Sequence, residues 1–308
     1  MDKIIKIGII GISKGNGHPY SFSAIINGCD IEAMKDAWLN IYKYIKNRAI
    51  VDFGIPPAKV THIWTQDLNE SKKISKVSFI ENIEENYLDM IDKIDAVIIA
   101  RDDHIVHREL AELFLKAGKF VFIDKPLSLN INDLIFFKPY LEKAQLMSCS
   151  SIRYAPELDE LKNTIYGFGD IKLIRGVTAK NWETYAIHLL DGIFSIVDFN
   201  IDSVYSHPIK QTSINLYTSS GNLIQIDALD EAITPIKFDF FGSKSYTNID
   251  ISDTFNSFKR TLQYFITMIQ SGIQPINPEL TINLMKVLIA QKISKDENRV
   301  VKLKEIKI

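Results

Sequence analysis

Three stretches of the sequence carry residue types at spacings that could do chemistry. The first is a loop holding Gly11, Gly15 and Gly17, between an apolar run over residues 4–10 and a helical pattern that starts near Ser21. At such a turn the backbone can approach a pyrophosphate, and unpaired N–H groups at the helix N-terminus favour negative charge. A strict Gly-x-Gly-x-x-Gly counted from Gly11 would need glycine at positions 13 and 16, where Ser13 and Asn16 stand. Lys14, Asn16 and His18 offer side-chain donors to phosphate in their place; the other reading is a plain turn between strand and helix. The second stretch ends the next strand pattern, where Asp67 either grips a ribose hydroxyl or caps the helix that follows. Asp67 stands much further from the glycines than the usual ~20 residues. An extra helix and loop over residues 32–59 would explain the excess. A carboxylate on the ribose favours NAD over NADP, while Lys72 and Lys73 nearby leave NADP open. The third stretch is the densest polar cluster, Arg101, Asp102, Asp103, His104 and His107. His104 and His107 are spaced as metal ligands on one helix face can be, but Asp103 is a natural N-cap for the helix that follows, and no metal is expected. Arg101 or Arg153 could instead bind an anionic substrate group. No Gly-x-Ser-x-Gly elbow and no P-loop occurs, so hydrolase and kinase readings have no support.

The elements that must position these residues follow from hydrophobic periodicity. Over residues 1–150, strand patterns at 4–10, 60–65, 77–80, 96–100, 120–123 and 146–150 alternate with helix patterns near 21–27, 84–91, 104–116 and 131–142. That rhythm predicts a Rossmann-type, doubly wound parallel sheet in an α/β domain. Over residues 151–308, helices at 156–166 and 185–198 flank a strand near 171–179. Strand-like stretches at 203–207, 213–219, 223–228, 236–241 and 246–251 then follow, and helices at 254–270 and 279–294 close the chain. Gly221-Asn222 and Gly242-Ser243 supply turn chemistry. This half predicts an α+β domain with a mostly antiparallel sheet and helices on one face.

Composition bounds the function. A length of 308 residues suits two domains, and 46% hydrophobic with 24% charged residues excludes a disordered or fibrous chain. Thirty-six basic against 38 acidic residues, a net charge of −2, predicts no nucleic-acid footprint and no basic membrane patch. Cys29 and Cys149 form neither a disulfide framework nor a zinc pattern, which suits a reducing compartment. No uncharged apolar run reaches the ~18 residues of a membrane span, and the N-terminus is too short and interrupted for a signal peptide. A cytoplasmic protein without membrane partners is expected.

Asp95-Ala96-Val97-Ile98-Ile99-Ala100, then His107, then Ala117-Gly118-Lys119-Phe120-Val121-Phe122-Ile123-Asp124-Lys125-Pro126 resemble the Gfo/Idh/MocA family, the relatives of glucose-fructose oxidoreductase and inositol dehydrogenase. Arg153-Tyr154-Ala155-Pro156 and Gly167-Phe168-Gly169-Asp170-Ile171 resemble that family's passage into its second domain. The resemblance implies an NAD(P)-dependent oxidoreductase moving a hydride between nicotinamide and a secondary alcohol or ketone of a sugar, nucleotide sugar or cyclitol. It implies that Lys125 is catalytic, where a cation at a strand tip can stabilise a developing alkoxide. It also makes His188 the proton acceptor, with Arg153, Tyr154, Trp182 and Tyr185 contacting substrate beside it. Nicotinamide is expected between Lys125 and His188, with Arg101, Asp102 and His107 on the cofactor side. The family's Asp-x-x-x-His has Thr184 where the aspartate belongs, and Glu183 or Tyr185 could replace it in the relay. Arg101-Asp102 stands for Thr-Pro and Asp124 for glutamate, the marks of a divergent member. The resemblance further implies a homodimer or homotetramer through the open sheet face. A non-catalytic dinucleotide-binding sensor or scaffold, and a lyase or epimerase using NAD transiently, are the alternatives.

Overall fold

The computed structural model describes residues 3–308, which divide into two compact units. In the first, β1 (Ile5–Gly11), β2 (Ala58–Thr65), β3 (Asn82–Ile83), β4 (Ala96–Ile99), β5 (Phe120–Ile123) and β6 (Leu146–Met147) form a six-stranded sheet in the order β3-β2-β1-β4-β5-β6. Every pair is parallel. Ile7, Ile9 and Ile10 of β1 and all of β4 are buried. Burial on both faces is why β4 reads as an unbroken apolar run, and β1 as one interrupted only by exposed Lys6, rather than as alternating strands. Helices α1 (His18–Asn27), α4 (Leu68–Ser78), α5 (His107–Lys116) and α6 (Ile131–Glu142) intervene along the chain. The strand order reverses between β1 and β4, and a ligand crevice opens at such a switch point beyond the carboxyl ends of the strands. The glycine loop follows β1 there, and Arg101–Asp103 follows β4.

The segment before β2 holds two short helices, α2 (Ile31–Ala37) and α3 (Leu39–Ile45). Asp30 caps α2 by accepting the Ala33 N–H at 3.0 Å. This insertion accounts for the long interval between the glycines and Asp67. It also fixes Gly17, where a Cβ would come within 2.7 Å of Trp38 and Ile41 side-chain atoms.

Two expected elements differ. Residues 77–80 are the end of α4 and its left-handed cap at Phe79 (φ 55°), not a strand. Ile74 and Val77 are buried residues of that helix, and so short an apolar run does not by itself separate strand from helix. The expected helix at 84–91 is a 3₁₀ segment, Tyr87–Lys93, started by Asn86 accepting the Leu88 N–H at 3.0 Å.

The second unit contains α7 (Asp159–Thr164), β7 (Ile171–Thr178), α8 (Trp182–Ile193), β8 (Ile201–Ser206), β9 (Thr212–Thr218), β10 (Leu223–Ala228), β11 (Lys237–Gly242) and β12 (Tyr246–Asp250). After α9 (Thr254–Ser271), it adds α10 (Pro278–Glu297) and β13 (Val301–Lys302). The sheet runs β12-β11-β7-β10-β9-β8-β13, antiparallel throughout except for the parallel pair β7–β10. β13, two residues long, carries no signal in the sequence. Helix α8 lies close on this sheet because Gly192 meets Phe238, where a Cβ would stand 2.5 Å from the ring.

One boundary at residue 150 is expected; the chain crosses between units more than once. Residues up to Leu127, Phe136–Ser148 and Phe258–Ile276 pack in the first unit, and Ser128–Ile135, Cys149–Ser257 and Asn277–Ile308 in the second. The aromatic face of α9 is the cause. Phe265 meets Phe122 with centroids 5.7 Å apart, and beyond the helix Gln274 donates to the Leu141 and Leu146 carbonyls at 2.8 Å. No helix among the described residues is long and apolar enough to cross a membrane.

Candidate active site

Lys125 follows β5 by two residues, at the carboxyl edge of the parallel sheet, and is 4% exposed. Its Nζ lies 3.5 Å from Asp102 Oδ2, a counter-charge from the loop after β4. The other oxygen, Asp102 Oδ1, accepts the Ser13 hydroxyl at 2.5 Å, which ties the glycine loop to the lysine's partner. Beside it, buried Asp124 accepts from the Lys125 N–H at 2.9 Å, from Asn16 Nδ2 at 3.0 Å and from His18 Nδ1. Burial alone would raise the Asp124 pKa, but His18, Lys125 and Asn16 outweigh it and hold the carboxyl well below the usual range. Ser13, Asn16, His18, Asp102, Asp124 and Lys125 thus form one connected polar cluster.

His107 is fully buried, with Nδ1 2.9 Å from the Leu127 carbonyl and Nε2 2.9 Å from that of Arg101. It ties the loop after β4 to the segment after Lys125, and burial disfavours its charged form. Both ring nitrogens face carbonyls, which is not how a metal ligand is presented. Asp103 does not cap the helix after it. It takes the guanidinium fork of Arg101, with Nε 2.8 Å from Oδ1 and Nη2 on Oδ2, so Arg101 is already paired. Burial works to raise the Asp103 pKa, and Arg101 overcomes it to leave the carboxyl below its ordinary value.

The glycine loop is braced differently from the expectation. The Asn16 amide is committed at both ends, to Asp124 and to the His18 N–H, which it accepts at 2.8 Å. Gly11 and Gly17 serve packing: a Cβ at Gly11 would meet Pro19 at 2.3 Å. The Gln66 side chain clamps Ile12, accepting its N–H at 2.8 Å and donating to its carbonyl at 2.9 Å. What remains open is Lys14 and Gly15, both exposed, with Gly15 at φ +81° and empty space where a Cβ would lie. Their amides donate to nothing among the described residues. These amides, with Lys14 and His18, are the groups that would hold a pyrophosphate there. Asp67 is exposed and caps α4, accepting the Asn69 N–H at 2.9 Å.

The second unit holds a separate cluster. His188 is buried on α8, its Nδ1 2.6 Å from Ser150 Oγ, and Tyr185 stands edge-on to its ring with centroids 5.0 Å apart. The Tyr185 hydroxyl pairs with Lys180 Nζ. Ser150 donates its N–H to Asp191 Oδ2 at 2.6 Å, and Arg153 Nη1 lies 3.6 Å from Asp191 Oδ1. Burial is the largest influence on Asp191 and exceeds the pull of Arg153 and of the Ser150 N–H, so its pKa is pushed up to about 6. Arg153 is therefore already paired. Tyr154 is buried, and Trp182 is buried at the first turn of α8. Thr184 donates its hydroxyl at 2.7 Å to Asn181, the N-cap of that helix, and Glu183 is exposed. Ser150, Asp191 and Gln66 were not among the expected site residues. Only Asp191 had a signal, three residues after His188 and hence on the same side of one helix.

Residues 5–150 match the profile of a family described as "Oxidoreductase family, NAD-binding Rossmann fold". A stretch of 167 residues is 25% identical to the inositol 2-dehydrogenase/D-chiro-inositol 3-dehydrogenase of Lactiplantibacillus plantarum; it covers 53% of this chain and 40% of that protein's length. Similar solved structures include a probable dehydrogenase from Thermotoga maritima, with TM-score 0.78, 20% identity, and coverage of 98% of this chain and 100% of that one. The apo scyllo-inositol dehydrogenase of Lactobacillus casei gives TM-score 0.79 at 18% identity, over 98% and 99% of the two chains. The same enzyme with bound NAD(H) and scyllo-inositol gives 0.75 at 19% identity, over 98% and 100%. At these identities the structures share a fold.

Proposed function

We propose that the chain, whose residues 5–150 match an oxidoreductase family with an NAD-binding Rossmann fold, is an NAD-dependent dehydrogenase of the Gfo/Idh/MocA kind acting on a secondary alcohol or ketone of a cyclitol or sugar. The observation that carries this reading is Lys125: a buried ammonium at the carboxyl edge of the parallel sheet, paired with Asp102 and tied through Ser13 to the glycine loop. NAD, when bound, supplies the hydride acceptor. Lys125 stabilises the negative charge that develops on the substrate oxygen. His188 takes the hydroxyl proton, its ring held by Ser150 through Nδ1. A cyclitol is favoured because the Lactiplantibacillus plantarum and Lactobacillus casei proteins named above are inositol dehydrogenases. Asp67 at the end of β2 supports NAD over NADP, and a homodimer or homotetramer suits the exposed face of the second unit's sheet.

The test is NADH production from NAD with a panel of inositols and sugars. Lys125→Met should keep NADH binding and lose turnover by about 10²–10⁴-fold. Undiminished turnover in that variant overturns the role of Lys125. The capped Thr184 supplies no carboxylate to His188, which favours a second reading, a dinucleotide-binding sensor. That protein would bind NADH and turn over no substrate of the panel.

A further inference from the structure

Ser13 and Asn16 occupy the two positions where a Gly-x-Gly-x-x-Gly counted from Gly11 would have glycine. A glycine brings only backbone to such a loop. These two residues bring side chains, and both side chains reach the segments that follow β4 and β5. Ser13 and Asp102 exchange two hydrogen bonds: the Ser13 hydroxyl donates to Asp102 Oδ1 at 2.5 Å, and its Oγ accepts the Asp102 N–H at 3.3 Å. The second carboxylate oxygen, Asp102 Oδ2, faces Lys125 Nζ at 3.5 Å. Asn16 closes the circuit from the other side. Its N–H donates to the Ser13 carbonyl at 3.1 Å and its Nδ2 to Asp124 Oδ2 at 3.0 Å, where His18 Nδ1 also bonds. Asp124 Oδ1 then accepts the Lys125 N–H at 2.9 Å. The ring from Ser13 through Asp102, Lys125, Asp124 and Asn16 back to Ser13 grips the lysine at both ends, the ammonium through Asp102 and the backbone through Asp124.

Resting on the dehydrogenase reading above, we infer that Ser13, Asn16 and Asp102 are positioning residues for Lys125 rather than ligands of the dinucleotide. The loop that follows β1 thereby fixes the group that acts on the substrate. A lysine carries its charge on a flexible four-carbon stem, so its ammonium stays in one place only where something holds it. The side chain of Lys125 is 5% exposed and that of Asp102 22%, so the pair is largely out of reach of solvent screening. Ser13 supplies what glycine at that position lacks. With Oδ1 tied to the Ser13 hydroxyl, the Asp102 carboxylate cannot turn freely, and Oδ2 keeps its aim at the ammonium. Asn16 does the same for Asp124, whose Oδ1 is left to the Lys125 N–H. The placement matters because a charge that must meet a developing oxyanion loses about 10²-fold in rate when misplaced by about 1 Å.

Three readouts test this together: turnover, calorimetric titration with NADH, and trace acetylation of the lysines with acetic anhydride. The last, read by peptide mass spectrometry with exposed lysines as internal standards, reports how firmly Lys125 is held and needs no substrate. Ser13→Ala removes one hydroxyl from a half-buried loop position. It should raise the labelling of Lys125 several-fold, lower kcat by about 10–10²-fold and leave NADH affinity unchanged. Asp102→Asn should act in the same direction and more strongly. The double variant should be no slower than Asp102→Asn alone, because both changes act through one contact. Ser13→Thr, which keeps the hydroxyl, should restore both labelling and kcat toward the wild type. Variants at Ser13 and Asp102 that weaken NADH binding and keep kcat would return these residues to the cofactor and overturn the inference. Lys125 labelling that is unchanged in both variants would also overturn it. A wild type that turns over no substrate of the panel, with Lys125 labelling raised in both variants, overturns the dehydrogenase reading and leaves the positioning of Lys125 standing.

Discussion

Asp191 offers a prediction whose magnitude can be worked through. Burial pushes its carboxyl up to about 6 against the ordinary aspartate value, in spite of Arg153 and the Ser150 N–H. An aspartate in the unfolded chain titrates near about 3.9. Between these values the folded protein keeps a proton that the unfolded chain has lost. Stability contributed at this group is therefore greatest at acid pH and falls as pH rises through about 4 to 6. Two pKa units amount to about 3 kcal/mol in full, of which about 2 kcal/mol falls between about pH 4.5 and 7.5. Asp191→Asn keeps an oxygen for the Ser150 N–H, 2.6 Å away, but has no proton to lose. The variant also leaves Arg153 with less counter-charge, which shifts its stability by a constant. Relative to the parent, the variant's unfolding free energy should rise by about 2 kcal/mol from the lower to the higher pH. Urea denaturation of both proteins at the two pH values reads this difference, and the other titrating groups cancel. A difference that is flat, or that falls with pH, would mean that Arg153 rather than burial governs the carboxyl, and would refute the reasoning.

Asp67→Ser retains a capping hydroxyl for the Asn69 N–H and removes the charge, so the thermal midpoint should hold while the preference for NADH over NADPH narrows. Side-by-side titration with the two cofactors checks this, and an unchanged preference confines Asp67 to capping. Gly17→Ala drives a Cβ into Trp38 and Ile41 at 2.7 Å and should cost about 1–3 kcal/mol in chemical denaturation. A neutral result would show that α2 and α3 yield at that contact.

The two-unit architecture was legible because burial writes itself into the sequence. β4 and β5 are unbroken apolar runs and β1 is interrupted only by exposed Lys6, the pattern of a sheet covered on both faces. Residues 77–80 misled because four apolar or small residues fit a strand as well as a helix end, and the cap at Phe79 is a backbone property. The packing of α9 residues 258–271 in the first unit was invisible for a related reason. Its heptad-like pattern shows which residues are buried but not which core receives them. Lys125 and His188 were singled out by motif, while the partners the structure gives them were not. Asp102 reaches Lys125 across two strand ends, Ser150 reaches His188 from 38 positions away, and Gln66 reaches Ile12 from 54. No local spacing encodes such pairs. Thr184 marks the converse case, a substitution plain in the sequence whose consequence, a hydroxyl absorbed by the Asn181 cap, needed the structure.

The central claim is that the carboxyl edge of the first sheet holds NAD beside Lys125. Trp38 lies against Gly17, so an indole stands at the glycine loop to report on a bound nicotinamide cofactor. Tryptophan fluorescence of cofactor-stripped protein, titrated with NADH, should quench saturably with half-saturation below about 1 mM and recover on displacement by NAD. Linear quenching with no saturation and no displacement would contradict the account, and with it the assignment of this edge to a dinucleotide.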